Sequence, residues 1–232
     1  MKLKIFKYDP AMDAESRYIE HEVPFKDKMT LLEAIVWVHE NKEMIAFDYS
    51  CHGRMCGRCA MMLDGTPVLA CCAPITNKDH TVEPLKGHTV IRDLIVDKSA
   101  FGDRLSKQYQ RIRTEPIKPG EINKFDAAVA PTIYDMANCT RCGVCDAGCP
   151  VLAEKPSQYA GPATMLAIAY RFLDSYDQAD RELEAVSKGL YHCIMCGNCD
   201  KVCQRFEIKH VEAWKMLRAA AEKRNLKPSY AK

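Results

Sequence analysis

The sequence predicts an α+β protein, with a small sheet over residues 1–100 and helices over residues 101–232. Apolar residues alternate at period two in the first part and recur at helical spacing in the second. A third observation says what the fold holds. Thirteen cysteines in 232 residues fall into three blocks, and two of the blocks share one spacing.

Each element follows in order. Lys2–Tyr8 sets Leu3 and Ile5 against Lys2, Lys4 and Phe6. Arg17–Val23 alternates again, with Ile19, His21 and Val23 opposite Tyr18, Glu20 and Glu22. Thr30 followed by Glu33 is a capping-box pattern, and Leu31, Leu32, Ile35, Val36 and Val38 carry a helix to about Lys42. Cys59–Leu63, the Asp64-Gly65 turn and Pro67–Ala70 read as a hairpin, with Thr81–Pro84 as a last short strand. The domain boundary is expected near Lys98–Asp103. Beyond it, Phe101–Arg113 places Leu105, Tyr109 and Ile112 on one helical face, and Pro116–Gly120 is a loop. Pro131–Ala137 is helical. Gly161-Pro162 opens a helix whose apolar face is Met165, Leu166, Ile168, Ala169 and Phe172. Asp177–Lys188 is polar and closed by Gly189. Glu207–Arg224 aligns Ile208, Val211, Trp214 and Leu217.

The first cysteine block is Cys51-x4-Cys56-x2-Cys59, followed by Cys71-Cys72. That is the plant-type spacing for a [2Fe–2S] cluster. The second is Cys139-x2-Cys142-x2-Cys145-x3-Cys149-Pro150, and Cys193-x2-Cys196-x2-Cys199-x3-Cys203 repeats it. That is the bacterial two-cluster spacing, in which the fourth cysteine of each run serves the other cluster. One [4Fe–4S] cluster is then expected on Cys139, Cys142, Cys145 and Cys203. The other is expected on Cys149, Cys193, Cys196 and Cys199. The fold class becomes a β-grasp plant-type ferredoxin domain followed by an all-α two-cluster ferredoxin-like domain. Disulfides fit poorly, because the chain is long and its cysteine count odd. Structural zinc wants two C-x2-C pairs rather than a triple that wraps three corners of a compact cluster.

Composition agrees. The chain is 47% hydrophobic and 28% charged, enough for a buried core. No apolar run approaches the roughly 18 residues of a membrane helix, and the first residues lack the pattern of a signal peptide. A formal charge of +2 without a basic run argues against nucleic acid as a partner. No constellation of acid, base and nucleophile stands out. His52 and His192 adjoin cysteines, but each cluster already has four thiolates. Arg54, Arg58 and Arg141 beside the cysteines read either as charges that raise potential or as solvated surface residues. Gly53, Gly57, Gly143 and Gly197 let the backbone fold closely over a cluster and offer N–H donors to sulfur.

The chain resembles the iron–sulfur subunit of the succinate dehydrogenase/fumarate reductase family over nearly its whole length. The matching pieces are Ser50-Cys51-x4-Cys56-Gly57-x-Cys59, Leu69-Ala70-Cys71, Cys139-x2-Cys142-Gly143-x-Cys145-x3-Cys149-Pro150, Gly161-Pro162-Ala163 and Val202-Cys203. Met61-Met62 and Leu69-Ala70-Cys71 look closer to the fumarate reductases. The resemblance implies Cys71 as the fourth [2Fe–2S] ligand, with Cys72 spare as a small buried residue. It implies an electron-transfer subunit carrying single electrons between an FAD flavoprotein that interconverts fumarate and succinate and a membrane-anchor or quinone-reactive subunit. Membrane contact would come only through partners. The expected place is the cytoplasmic membrane, on the cytoplasmic face or on the periplasmic face by co-export.

Three features depart from the family pattern. Cys196 stands where most members have a nonligand residue and a [3Fe–4S] cluster, so a four-iron third cluster is expected here, with three-iron as the alternative. Val151–Lys155 lacks the tryptophan that many quinone-reducing members carry, and Gln204 replaces a common proline. Two other roles follow: a partner that is heterodisulfide-reductase-like or methylmenaquinol-linked, or a free-standing ferredoxin-like carrier.

Overall fold

Strand β1 (Lys2–Lys7) buries Leu3 and Ile5 and turns Lys2 and Lys4 outward, and this alternation seeds the sheet. The computed structural model describes residues 1–120, 126–205 and 208–231. The chain divides into two compact units. One is Met1–Ala100 with Thr140–Gly148 and Val202–Gln204; the other is Phe101–Cys139, Cys149–Lys201 and Arg205–Lys232.

In the first unit β1 pairs antiparallel with β2 (Arg17–Glu22) and parallel with β5 (His80–Pro84). β3 (Ala60–Leu63) pairs antiparallel with both β5 and β4 (Thr66–Leu69), giving the order β2-β1-β5-β3-β4. Helix α1 (Leu31–Asn41) starts at the capping box: Glu33 N donates to Thr30 Oγ1 at 3.3 Å, and Thr30 N donates to the Glu33 carboxylate at 2.7 Å. Its Leu31, Leu32, Ile35 and Val38 enter one core with Leu3, Ile5, Met61, Met62 and Val82. A mixed sheet with one helix across it is the β-grasp arrangement.

Thr81–Pro84 is not the last strand. β6 (Thr89–Arg92) and β7 (Ile95–Asp97) form a separate hairpin, turned through the left-handed Asp93 (φ 47°). The Asp93 side chain is buried. Its carboxylate accepts the backbone N–H groups of Tyr8 and Ala46 and the ammonium of Lys7, which pins the hairpin to the sheet.

The second unit is helical. α2 (Ser99–Tyr109) stops short of the expected Arg113, and Ile112 is exposed rather than on a buried face. Arg171 Nε donates to the Tyr109 carbonyl and Arg181 Nη2 to that of Gln110, so two guanidiniums take acceptors that a continuing helix would use. α3 (Ala130–Ala137), α4 (Val144–Ala147) and α5 (Pro150–Glu154) follow; the last two are single turns. α6 (Pro162–Phe172) is buried without a break from Pro162 to Ala169, so it is the central helix rather than an amphipathic one. α7 (Arg181–Ser187) begins later than Asp177, because Asp180 is its N-cap and accepts from Leu183 N. α8 (Asn198–Val202) is short. α9 (His210–Lys223) buries Trp214 and Leu217; its expected start at Glu207 lies outside the described residues. No described helix is long and apolar enough to cross a membrane.

Candidate metal centres

The loop from Cys51 to Cys59 wraps its backbone around the Cys51 thiol. Gly53 N, Met55 N and Cys56 N donate to Cys51 Sγ at 3.4, 3.2 and 3.2 Å. Arg54 N donates to Cys71 Sγ at 3.3 Å. Left-handed backbone at His52, Arg54 and Gly57 (φ 51°, 52° and 69°) aims these groups inward. The Gly53 N–H and its neighbours bring the Cys51 thiol down to about 7. The Cys56 thiol lies near that of Cys51, and the Cys71 thiol near that of Cys59. Burial pushes Cys59 up to about 12, so a bare Cys59 thiol holds its proton, and binding a metal ion there releases it.

Cys72 touches the Cys71 thiol but spends its own donor elsewhere. Its Sγ donates to Gln204 Oε1 at 3.0 Å and lies 3.5 Å from the Leu69 carbonyl. Burial pushes it up to about 11. Within the 3-10 turn Ala70–Cys72 the two thiols have different partners, Arg54 N for Cys71 and Gln204 Oε1 for Cys72.

The two similar cysteine runs are alike in backbone as well as in sequence. Arg141 and Gly143 are left-handed (φ 55° and 86°) in one, and Met195 and Gly197 (φ 53° and 75°) in the other. Each second left-handed glycine leads into a single-turn helix, α4 or α8. Cys142, Cys145 and Cys203 belong to the first unit and Cys139 to the second. In the first unit the two loops touch. A Cβ on Gly57 would lie 2.8 Å from the Thr140 carbonyl oxygen and 2.9 Å from Cys142 Cβ.

Cys149, Cys193, Cys196 and Cys199 all line one cavity in the second unit, together with Tyr159 and Trp214. Cys199 is buried, and burial pushes its thiol up to about 12. Cys196 is exposed. Trp214 is fully buried, and its Nε1–H has no partner among the described residues. Four thiols beside an orphaned N–H donor fit a group that is held by thiolate and presents acceptors of its own. An iron–sulfur cluster held by these thiolates would carry sulfides able to accept such a hydrogen bond.

Other marked residues have ordinary surroundings. Arg58 is exposed and sets Nε 2.9 Å from both Asp48 oxygens. His52 packs edge-on to Tyr49, and His192 stacks on Tyr230. Asp200 accepts His210 N and Val211 N and pairs with the His210 ring, so it holds the start of α9. Sequence reasoning missed Lys98, which donates to the Cys142 carbonyl, and it placed Trp214 only on an apolar helix face.

Residues 2–103 match the 2Fe-2S iron-sulfur cluster binding domain family, and residues 135–206 match the 4Fe-4S dicluster domain family. The fumarate reductase iron–sulfur subunit of Escherichia coli O6:H1 is 30% identical over 223 residues, 91% of this chain and 88% of that one. The chain belongs to the fumarate reductase/succinate dehydrogenase iron–sulfur subunit family. A fumarate reductase (CoM/CoB) polypeptide of Methanothermobacter marburgensis is 31% identical over 227 residues, which cover 95% of this chain. This chain spans less than half the length of that relative, 44% of it. A chain of the Mycobacterium smegmatis Sdh1 complex in the apo form superposes with a TM-score of 0.83, at 23% identity and 98% coverage of both chains, and so shares the fold.

Proposed function

We propose that this chain is the electron-transfer subunit of a fumarate reductase/succinate dehydrogenase complex, passing single electrons between an FAD flavoprotein and a membrane quinone partner. The observation that carries this is the gathering of Cys149, Cys193, Cys196 and Cys199 around one cavity in a chain of this family. The proposed [2Fe–2S] ligands are Cys51, Cys56, Cys59 and Cys71. The proposed [4Fe–4S] ligands are Cys139, Cys142, Cys145 and Cys203 for the second cluster and Cys149, Cys193, Cys196 and Cys199 for the third.

When bound, the clusters supply one-electron storage, so a pair of electrons leaves the flavoprotein in two steps. The chain supplies the rest. Thiolates hold the irons, and the N–H groups of Gly53, Met55 and Cys56 stabilise negative charge at Cys51. Burial of Cys59 and Cys199 keeps water from the inner corners. The chain lies at the membrane surface only through its partners.

A second reading replaces the quinone partner with a heterodisulfide-reductase-like or methylmenaquinol-linked subunit. Cys196 and the likeness to a fumarate reductase named for CoM/CoB favour it. Purification of the native complex tests both. A co-purifying flavoprotein with three reducible cluster signals is expected, and the identity of the third subunit separates the two readings. A fully loaded, free monomer would overturn both in favour of a free-standing carrier.

A further inference from the structure

Lys98 directly follows β7, the strand that ends the late hairpin. Its ammonium is half-buried and donates to the Cys142 carbonyl at 3.1 Å. Cys59 and Cys142 are both charge neighbours of that ammonium, as are Asp48 and Arg58. Cys59 belongs to the proposed [2Fe–2S] set and Cys142 to the proposed second set. The loops carrying Cys56 and Cys142 touch through Gly57, and a cleft beside that contact is lined by Cys56, Arg58, Lys98 and Arg141.

Asp48 also favours the lysine's charge, but both its oxygens engage Arg58, whose own charge opposes that pull. No ion pair among the described residues holds Lys98. A partly buried ammonium with no carboxylate in ion-pair contact is costly unless further negative charge lies near. Two clusters of net negative charge supply it.

The geometry points to Lys98 as a positioning charge shared by two centres, one cation that raises the reduction potentials of the [2Fe–2S] cluster and the second cluster together. Adding an electron makes a cluster more negative, and a fixed cation nearby stabilises that reduced state. The inference rests on the ligand sets proposed above. None of the charge neighbours of Lys98 belongs to the third set, which therefore serves as an internal control.

The test is an EPR-monitored redox titration of the loaded full-length chain in its complex. Lys98→Met keeps the aliphatic stem and removes the charge. The expected result is a downward shift of the first two potentials, an unmoved third potential and unchanged iron content. Lys98→Arg should return the first two potentials towards wild type. Potentials unchanged in Lys98→Met would overturn the inference. So would an equal shift at the third cluster, or the same shift in Lys98→Arg, because each marks a packing effect. Should Lys98→Met fail to load, Lys98→Gln carries the same comparison. A wild-type chain lacking the first two signals would instead overturn the ligand assignment, so the two failures are told apart.

Discussion

Cys56-Gly57 and Cys196-Gly197 are the same dipeptide in the same backbone shape, in opposite surroundings. Both glycines are left-handed. Gly57 is buried and presses on Thr140 and Cys142, whereas a Cβ on Gly197 would meet nothing within 4 Å. Cys56 is half-buried. Cys196 is exposed, next but one to Ile194, which is 66% exposed. The spacing and handedness therefore set what a loop can bind, and the neighbours set whom it can reach. Gly57 is committed to packing against a second cysteine run, whereas Gly197 leaves its side of the loop open.

The sharpest way to break this contrast is to add one methyl group to each glycine. Gly57→Ala meets backbone at 2.8 Å in a left-handed conformation and is expected to abolish soluble, loaded protein. Gly197→Ala meets only the left-handed strain, about 1–2 kcal/mol, and should fold with all clusters present. Iron content and soluble yield decide it; equal losses would erase the distinction between the loops.

Next in size is the ligand exchange in the crowded region. Cys71→Ser should remove or alter the reduced [2Fe–2S] signal, and Cys72→Ser should leave it intact, because Cys72 gives its donor to Gln204. The opposite pattern would show that the hairpin ends one residue out of register.

In the open loop, Cys196 should fill the fourth corner of the third cluster. The wild-type chain is expected to hold about ten irons, two in the first cluster and four in each of the others. Cys196→Ser should lose about one of them and gain the EPR signal of an oxidised three-iron centre. A stoichiometric three-iron signal in oxygen-protected wild type would refute this.

The smallest effect calibrates the others, since Asp180 lies in neither loop. It caps α7 and pairs with Arg224, whose hydrogen bonds hold its carboxyl down at about 2. That stabilisation is complete above the ordinary aspartate value of about 3.9 and is lost as pH falls through about 2. The ion pair is exposed and adds little, so Asp180→Ala should cost about 1 kcal/mol, the worth of an N-cap. Thermal unfolding at neutral pH measures it.

Local signals were readable where one short segment carries the whole cause. Thr30 and Glu33 close their capping box three residues apart, and the cysteine spacings brought the third set to one cavity. The β6–β7 hairpin was hidden because its strands have four and three residues, its register shifts between Val90 and Arg92 and its turn is Asp93-Leu94, so no alternation develops. The end of α2 was hidden because the groups that stop it, Arg171 and Arg181, lie more than sixty residues away. Lys98 had no local signature, and Trp214 had only that of an apolar helix face; each gains its further meaning from cysteines that fold next to it.

The first compact unit is not finished when its sheet is. It also contains Thr140–Gly148 and Val202–Gln204, which leave the ribosome only after most of the helical residues. At about 5–20 residues per second, the 1–100 segment waits on the order of ten seconds for the last of these pieces. Throughout that interval the face that will pack against Cys142, Ala147 and Val202 is uncovered. Birth of the chain is thus a timed event, with the earliest-made cysteines the longest unprotected.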